Sequence, residues 1–318
     1  MVKIDLITGF LGSGKTTFIK KYADYLMRQG YNIGILENDY GAINVDMMLL
    51  QELEGEHCEL EMVSGGCCQD SDAHRRRFKT KLIAMGMCGY DRILVEPSGV
   101  FDMDEFFDTL QEEPLDQWYE IGSVITIVNA RLENTLSEEA DYVLASEAAS
   151  AGCIVLSRTQ ETSEAEQQNT IEHLNRALEH AKCSRRFGVE HVMRKNWEEL
   201  SDTDFEKIAS AGYEHASYVK QDYGEHGGFE SLFFMNLGLG EAALLKAVRG
   251  IFSDPACGTV FRVKGFFPDG AGGWKELNMT RREHSVQPVK RGQEVLIVIG
   301  EHLDQARMEV WFKQAAKQ

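Results

Sequence analysis

The stretch GFLGSGKT, Gly9–Thr16, decides the fold. It fits the phosphate-cradling pattern GxxxxGK[ST] in full, and its setting is right. The apolar, β-branched run Val2–Thr8 before it reads as a strand. Residues 14–29 after it read as an amphipathic helix with Phe18, Ile19, Tyr22 and Leu26 on one stripe. Glycines let backbone N–H groups wrap phosphate oxygens with no Cβ in the way, and the helix N-terminus adds a partial positive charge. Gly9, Gly12, Ser13, Gly14 and Thr17 are expected to line the cradle, Lys15 to reach the β and γ phosphates, and the Thr16 hydroxyl to ligate Mg²⁺. A chance glycine-rich turn would lack the strand and the helix on either side.

Outward from this loop, strands and helices alternate. Tyr31–Leu36, Glu59–Val63, Arg92–Val95, Ser123–Val128 and Cys153–Leu156 read as strands, with helices near 70–87, 103–112, 138–150 and 163–181. That rhythm predicts an α/β fold, a P-loop NTPase with a doubly wound, mostly parallel sheet covered on both faces. The pattern weakens over 183–228, where a helix is expected at Trp197–Ala211, and Gly224, Gly227 and Gly228 mark a joint. Beyond it, strands at Leu232–Leu237, Gly258–Phe267, Trp274–Asn278, Glu283–Val286 and Glu294–Ile299 are bracketed by helices at Gly240–Val248 and His302–Lys317. Two domains are expected: 1–222, and a smaller α+β domain with an antiparallel sheet at 229–318.

Charge supports that division. The 318 residues carry 33 Lys and Arg against 51 Asp and Glu, a net of -18. Residues 230–318 hold 12 basic and 10 acidic residues, which leaves 21 against 41 before them, a net of -20. So acidic a chain is a poor partner for nucleic acid phosphates or an anionic membrane surface. With 43% hydrophobic residues it can fill a sizeable core. Seven cysteines are too sparse for a disulfide scaffold. No leader is expected before the first strand, and no apolar run approaches the roughly 20 residues of a membrane helix. The expected home is the cytoplasm, where thiols stay reduced.

Four further motifs bear on chemistry. The strand Ile93–Glu96 is followed by Pro97-Ser98-Gly99; Glu96 is placed to hold Mg²⁺ or its water, and Gly99 lets a backbone N–H approach the γ-phosphate. The loop ENDYGAINVD, Glu37–Asp46, offers carboxylates that could couple metal or phosphate to loop order. SGGCC, Ser64–Cys68, presents two soft thiols, Cys67 and Cys68, suited to Zn²⁺ or a similar ion; Glu37, Asp39, His57, Cys58 and His74 are the nearby residues able to complete a site. SRTQ, Ser157–Gln160, follows the strand CIVL where a base-reading loop belongs. Gln160 there accepts only through its amide carbonyl, and Arg158 can stack on a base. Read conservatively, the paired cysteines are small buried residues, and His74–Arg77 is a solvated helix face. Cys88, Cys153, Cys183 and Cys257 read as core or scattered positions, and His215, His226, His284 and His302 as exposed.

Together these elements resemble the CobW family of P-loop GTPases, relatives of the nickel-insertion GTPases of hydrogenase and urease maturation. GFLGSGKTT is similar to the family's Walker A segment, ENDYGAINVD to its switch segment, ILVEPSGV to its Walker B segment and IVLSRTQ to its base-reading element. FRVKGFF, Phe261–Phe267, and VLIVIGEHLD, Val295–Asp304, resemble strands of its C-terminal domain. The resemblance implies a GTP-dependent metallochaperone for zinc or cobalt. Lys15 and Glu96 would be catalytic, and Thr16 and Glu96 would hold Mg²⁺. Ser157, Arg158 and Gln160 would meet the base, and Cys67, Cys68 and Glu37 would bind the cargo metal. GTP, GDP and a metal-receiving client protein would be its partners; a homodimer stays open. Two departures stand out. Gly65 replaces the first cysteine of the family's CxCC, and Gln160 replaces the aspartate that reads guanine. Two other readings stay in play: a P-loop small-molecule kinase, and a nucleotide-controlled protein-binding switch without metal.

Overall fold

Strand β1 (Val2–Thr8) lies at the middle of a seven-stranded sheet whose order is β3-β2-β4-β1-β5-β6-β7. The others are β2 (Ile33–Asp39), β3 (Cys58–Ser64), β4 (Arg92–Pro97), β5 (Tyr119–Asn129), β6 (Cys153–Ser157) and β7 (Val192–Met193), and every neighbouring pair is parallel. The computed structural model describes residues 1–39, 45–64, 71–97, 103–133, 135–220, 229–281, 283–290 and 292–316. The chain divides into two compact units, Met1–Glu225 and His226–Gln318. Among the described residues no helix is long and apolar enough to cross a membrane.

Helices α1 (Lys15–Arg28), α2 (Val45–Leu50), α3 (Ser71–Gly86), α4 (Met103–Leu110), α5 (Leu115–Trp118), α6 (Glu138–Ala149), α7 (Glu164–His180) and α8 (Asp202–Ala209) complete the first unit. The stripe read from the sequence of α1 is its buried face: Phe18, Ile19, Tyr22 and Leu26 pack on Ile7, Ile33, Ile35, Leu94, Ile125 and Ile127 of the sheet. Each such side chain contributes roughly 1.5–3 kcal/mol on burial. Beneath α1, Asp5 is fully buried and accepts from Tyr22 Oη at 2.8 Å and Arg92 Nη1 at 2.6 Å, tying β1, α1 and β4 together. Because β1 sits between β4 and β5, chain connections depart in opposite directions on its two sides. The crevice beyond its C-terminal end is where doubly wound sheets bind ligands.

One expected helix is divided. In place of a single run over Trp197–Ala211, Trp197–Glu199 forms one 3₁₀ turn under an Asn196 cap, and α8 starts afresh behind Ser201. Ser201 and Asp204 form a reciprocal capping box, a strong local signal for a new N-terminus. The short β7 had no legible signal, since two residues carry no periodicity.

The second unit is an antiparallel sheet in the order β11-β10-β9-β12-β8. Its strands are β8 (Phe229–Met235), β9 (Thr259–Pro268), β10 (Trp274–Thr280), β11 (His284–Val289) and β12 (Val295–Glu301). Helices α9 (Glu241–Ser253) and α10 (Gln305–Ala315) cover it, with Val248, Ile251, Met308 and Phe312 meeting Val260, Val263, Leu277 and Val298 in its core.

Candidate nucleotide and metal site

The loop Gly9–Gly14 leaves β1 and delivers its glycines into α1. Gly9 has φ +138°, and a Cβ there would lie 2.2 Å from the Ile127 carbonyl oxygen, so only glycine fits. Gly14 caps α1 in the left-handed region at φ 104°, with no side-chain cap and no acid in the first turn. The N-terminal amides of α1 are therefore left to an anion. Ser13 is buried at 2% exposure, and its Oγ has no hydrogen-bond partner among the described residues. An orphaned buried hydroxyl in a phosphate cradle fits a ligand oxygen. Lys15 folds back, its Nζ donating to the Gly9 carbonyl at 2.7 Å.

Two acidic strand ends meet this loop. Thr16 Oγ1 donates to Glu96 Oε2 at 3.2 Å. Glu37 is the register partner of Glu96 on the neighbouring strand, and both are buried, at 3% and 6% exposure. Ile33 and Ile35 pack against α1, so alternation puts Glu37 on that face with Glu96 and Thr16. Two adjacent buried carboxylates and a hydroxyl are hard oxygen donors, the set that suits Mg²⁺.

Asn38, one residue on, faces the opposite side. Its Oδ1 contacts His74 Nε2 at 2.6 Å, from the first turn of α3. His74 is 2% exposed, so the solvated helix face read over His74–Arg77 does not include it. Burial, with the Arg77 charge adding to it, pushes its ring down to about 4, so it is neutral at pH 7. Glu37 and His74 thus stand on opposite faces of the sheet and do not converge. Cys58 opens β3, about 20 Å of strand from Ser64, and burial pushes its thiol up to about 12. His57 is engaged at that same far end by Asn32, at 2.8 Å. Cys67, Cys68 and Gly99, and residues 40–44 of the switch segment, lie outside the described residues. Among the described residues no group of three or more His, Cys, Asp or Glu can hold a metal ion.

The loop after β6, which the sequence suggests for reading the base, closes the other side. Arg158, left-handed at φ 56°, donates through Nη1 to the Gly12 carbonyl at 3.2 Å and to Ser157 Oγ at 3.4 Å. This ties the loop after β6 to the phosphate cradle. Gln160 is exposed, and the neighbouring acid Glu161 is drawn into an ion pair with Arg131 at 2.7 Å. Sequence reasoning missed three residues here. Thr159 is buried, and its Oγ1 has no hydrogen-bond partner among the described residues. Trp197 donates its indole N–H to the Leu156 carbonyl at 2.9 Å, and its ring stands 3.2 Å from where a Gly14 Cβ would be. Glu147, on α6, accepts the Gly9 N–H at 2.8 Å. Thr159 lies within SRTQ but its role there was not read, whereas Trp197 and Glu147 sit in no motif, so no local signal marked them.

A strand, a glycine cradle with an uncapped helix behind it and a Thr–Glu pair at its mouth define a P-loop nucleotide-binding protein. The model of the CobW/HypB/UreG nucleotide-binding domain matches residues 3–185, more than half of the chain, and the protein belongs to that family. Curated relatives include the zinc chaperone YjiA of Escherichia coli K12, 29% identical over 134 residues (41% of each chain). Another is the zinc chaperone YeiR of the same organism, 27% identical over 169 residues, 53% of this chain and 50% of that one. The match thus spans half or less of these relatives' length. A crystal structure of zinc-bound YjiA GTPase aligns over 99% of this chain and 98% of that one, at 17% identity and a TM-score of 0.34.

Proposed function

We propose that the protein is a GTP-binding and GTP-hydrolysing metallochaperone that couples its nucleotide state to binding and delivery of a divalent metal, zinc or cobalt. The observation that carries this reading is the pairing of Thr16 with Glu96 at the mouth of an uncapped phosphate cradle. The zinc chaperones among its relatives supply the cargo class.

In this cycle Lys15 exchanges the Gly9 carbonyl for β and γ phosphate oxygens. Backbone N–H groups of Gly9–Gly14 and the Ser13 hydroxyl take the remaining phosphate contacts. Thr16 and Glu96 hold Mg²⁺, which when bound neutralises charge developing on the phosphates. Glu37, read from the sequence as a ligand of the cargo metal, shares in that site instead, a role supported by its register with Glu96. Arg158 and Trp197 flank the base. Cys67 and Cys68 hold the cargo metal on the segment that follows β3, and its release to a client follows hydrolysis.

Such a cycle requires metal affinity to differ between nucleotide states. The test is titration of Zn²⁺ and Co²⁺ in the presence of Mg²⁺ with a non-hydrolysable GTP analogue or with GDP, beside a protein carrying Cys67→Ser and Cys68→Ser. Tighter metal binding with the analogue, lost in the double variant, is the expected result. Equal binding in both states would end the metallochaperone reading and leave a P-loop protein whose nucleotide does not control metal.

A further inference from the structure

Where α6 passes behind the P-loop it buries a carboxylate that none of the phosphate or Mg²⁺ roles uses. Glu147 is 3% exposed, and its Oε2 accepts the Gly9 N–H at 2.8 Å. The Gly9 carbonyl accepts Lys15 Nζ at 2.7 Å. A carboxylate and an ammonium therefore grip the two sides of one glycine. The backbone of Glu147 is itself fixed: its carbonyl accepts from the Thr8 and Thr126 hydroxyls, each at 2.9 Å.

We propose that Glu147 is a positioning residue of the nucleotide site: as a carboxylate it holds the Gly9 peptide and balances Lys15 in the empty loop, and it takes up a proton from solvent when the nucleotide's phosphates enter. The proposal rests on the reading of this loop as a nucleotide site.

The argument is one of charge in a confined space. In the empty loop the Lys15 ammonium has Glu147 as a counter-charge. Phosphates arriving at Lys15 compete for the same ammonium, and a buried carboxylate beside them is left poorly compensated. Protonation relieves this, and the carbonyl oxygen of the acid still accepts the Gly9 N–H. The group is already poised for it. Burial pushes the Glu147 carboxyl up to about 7; Lys15 and the Gly9 N–H pull it down, and Glu96 pushes it further up. Among the described residues the elements around it contribute few other charges. β1 and β5 present the Thr8 and Thr126 hydroxyls, α1 presents Lys15, β4 presents Glu96, and α7 meets α6 through the pair His173–Asp141, six residues before Glu147.

Calorimetric titration of Mg²⁺ and GDP into the whole protein at pH 8, in two buffers of different protonation enthalpy, counts the protons taken up. The wild type is expected to take up a substantial fraction of one proton. Its affinity should rise as the pH falls towards 7, by at most about tenfold per pH unit. Glu147→Gln keeps an acceptor for the Gly9 N–H and has no proton to gain. It should lose that uptake and that slope, and bind GDP several-fold more tightly than wild type at pH 8. A merely structural role would lower the melting temperature of the variant and leave its pH profile like that of wild type. Equal uptake in the two proteins would overturn the proposal, since the proton would then belong to the nucleotide. Wild-type binding with no uptake would overturn it without any variant. Absence of GDP binding would overturn the nucleotide reading itself, a distinguishable failure.

Discussion

Glu37 and Glu96 are register partners on neighbouring parallel strands, and both carboxylates are buried on the face where Thr16 Oγ1 donates to Glu96. Like charges so placed repel unless a cation lies with them. Mg²⁺ with nucleotide should therefore raise the melting temperature more than nucleotide alone. Glu96→Gln keeps a partner for Thr16 and loses the charge; Mg²⁺-dependent hydrolysis should fall by about 100-fold or more, since a bound metal supplies several kcal/mol at the transition state. Glu37→Gln should weaken the rise in melting temperature that Mg²⁺ with nucleotide produces. Hydrolysis and Mg²⁺ response both unchanged in the two variants would remove these carboxylates from the site.

Gly9→Ala tests the cradle's backbone. The new Cβ would stand 2.2 Å from the Ile127 carbonyl oxygen at a φ of +138°, so both a clash and a strained backbone are imposed. Strain alone is worth about 1–3 kcal/mol, and the clash adds to it. Denaturant unfolding should show a loss of at least about 2 kcal/mol. Gly30→Ala is the control, with φ +86° and nothing within 4 Å of the added Cβ, and should lose less. Equal losses in the two variants would show that the Ile127 contact is immaterial.

His74 gives a pH-dependent stability. Its folded-state ring titrates near 4, below the ordinary value of 6.5, because burial and then Arg77 disfavour the charged form. Between these values the unfolded chain binds the proton and the folded chain does not. Stability is therefore intact above about 6.5 and falls as pH drops towards 4, by roughly 2–3 kcal/mol in all. His74→Gln keeps a polar partner for Asn38 and cannot titrate. The difference between urea unfolding at pH 7 and at pH 5 should shrink in this variant; an unchanged difference would show that His74 does not govern it.

His74 also shows where sequence reading stops. Four consecutive polar residues, His74–Arg77, look like one solvated face, yet a helix turns 100° per residue and only His74 points at the sheet, where Asn38 receives it. The first six strands of the parallel sheet were legible because continuous apolar runs alternate with amphipathic ones, and α1 was legible in detail because its stripe is its buried face. Glu147 was not legible. A glutamate inside a helix looks the same whether it meets water or a glycine 138 residues away. Trp197 likewise reaches Leu156 and Gly14 only through the tertiary fold.

Base preference follows from the loop after β6. Guanine recognition uses paired acceptors, and Gln160 supplies one carbonyl with an amide donor beside it. Glu161, the adjacent acid, is paired with Arg131 at 2.7 Å, so it would have to leave that partner to substitute. Arg158 donates to the Gly12 carbonyl, and a base bound beside it would meet its planar face, which does not distinguish purines. The wild type should therefore bind GDP and ADP within about tenfold of each other, far from the 10⁴-fold or greater rejection that a complementary polar site achieves. Gln160→Asp restores a charged pair of acceptors. Each charge-assisted hydrogen bond is worth about 1.5–3 kcal/mol, so competition binding should show the preference for GDP over ADP rising by about 10- to 100-fold. A wild-type protein that already rejects ADP by three orders of magnitude would show that the base is read elsewhere, with Thr159 and its buried hydroxyl, unpartnered among the described residues, the first position to examine.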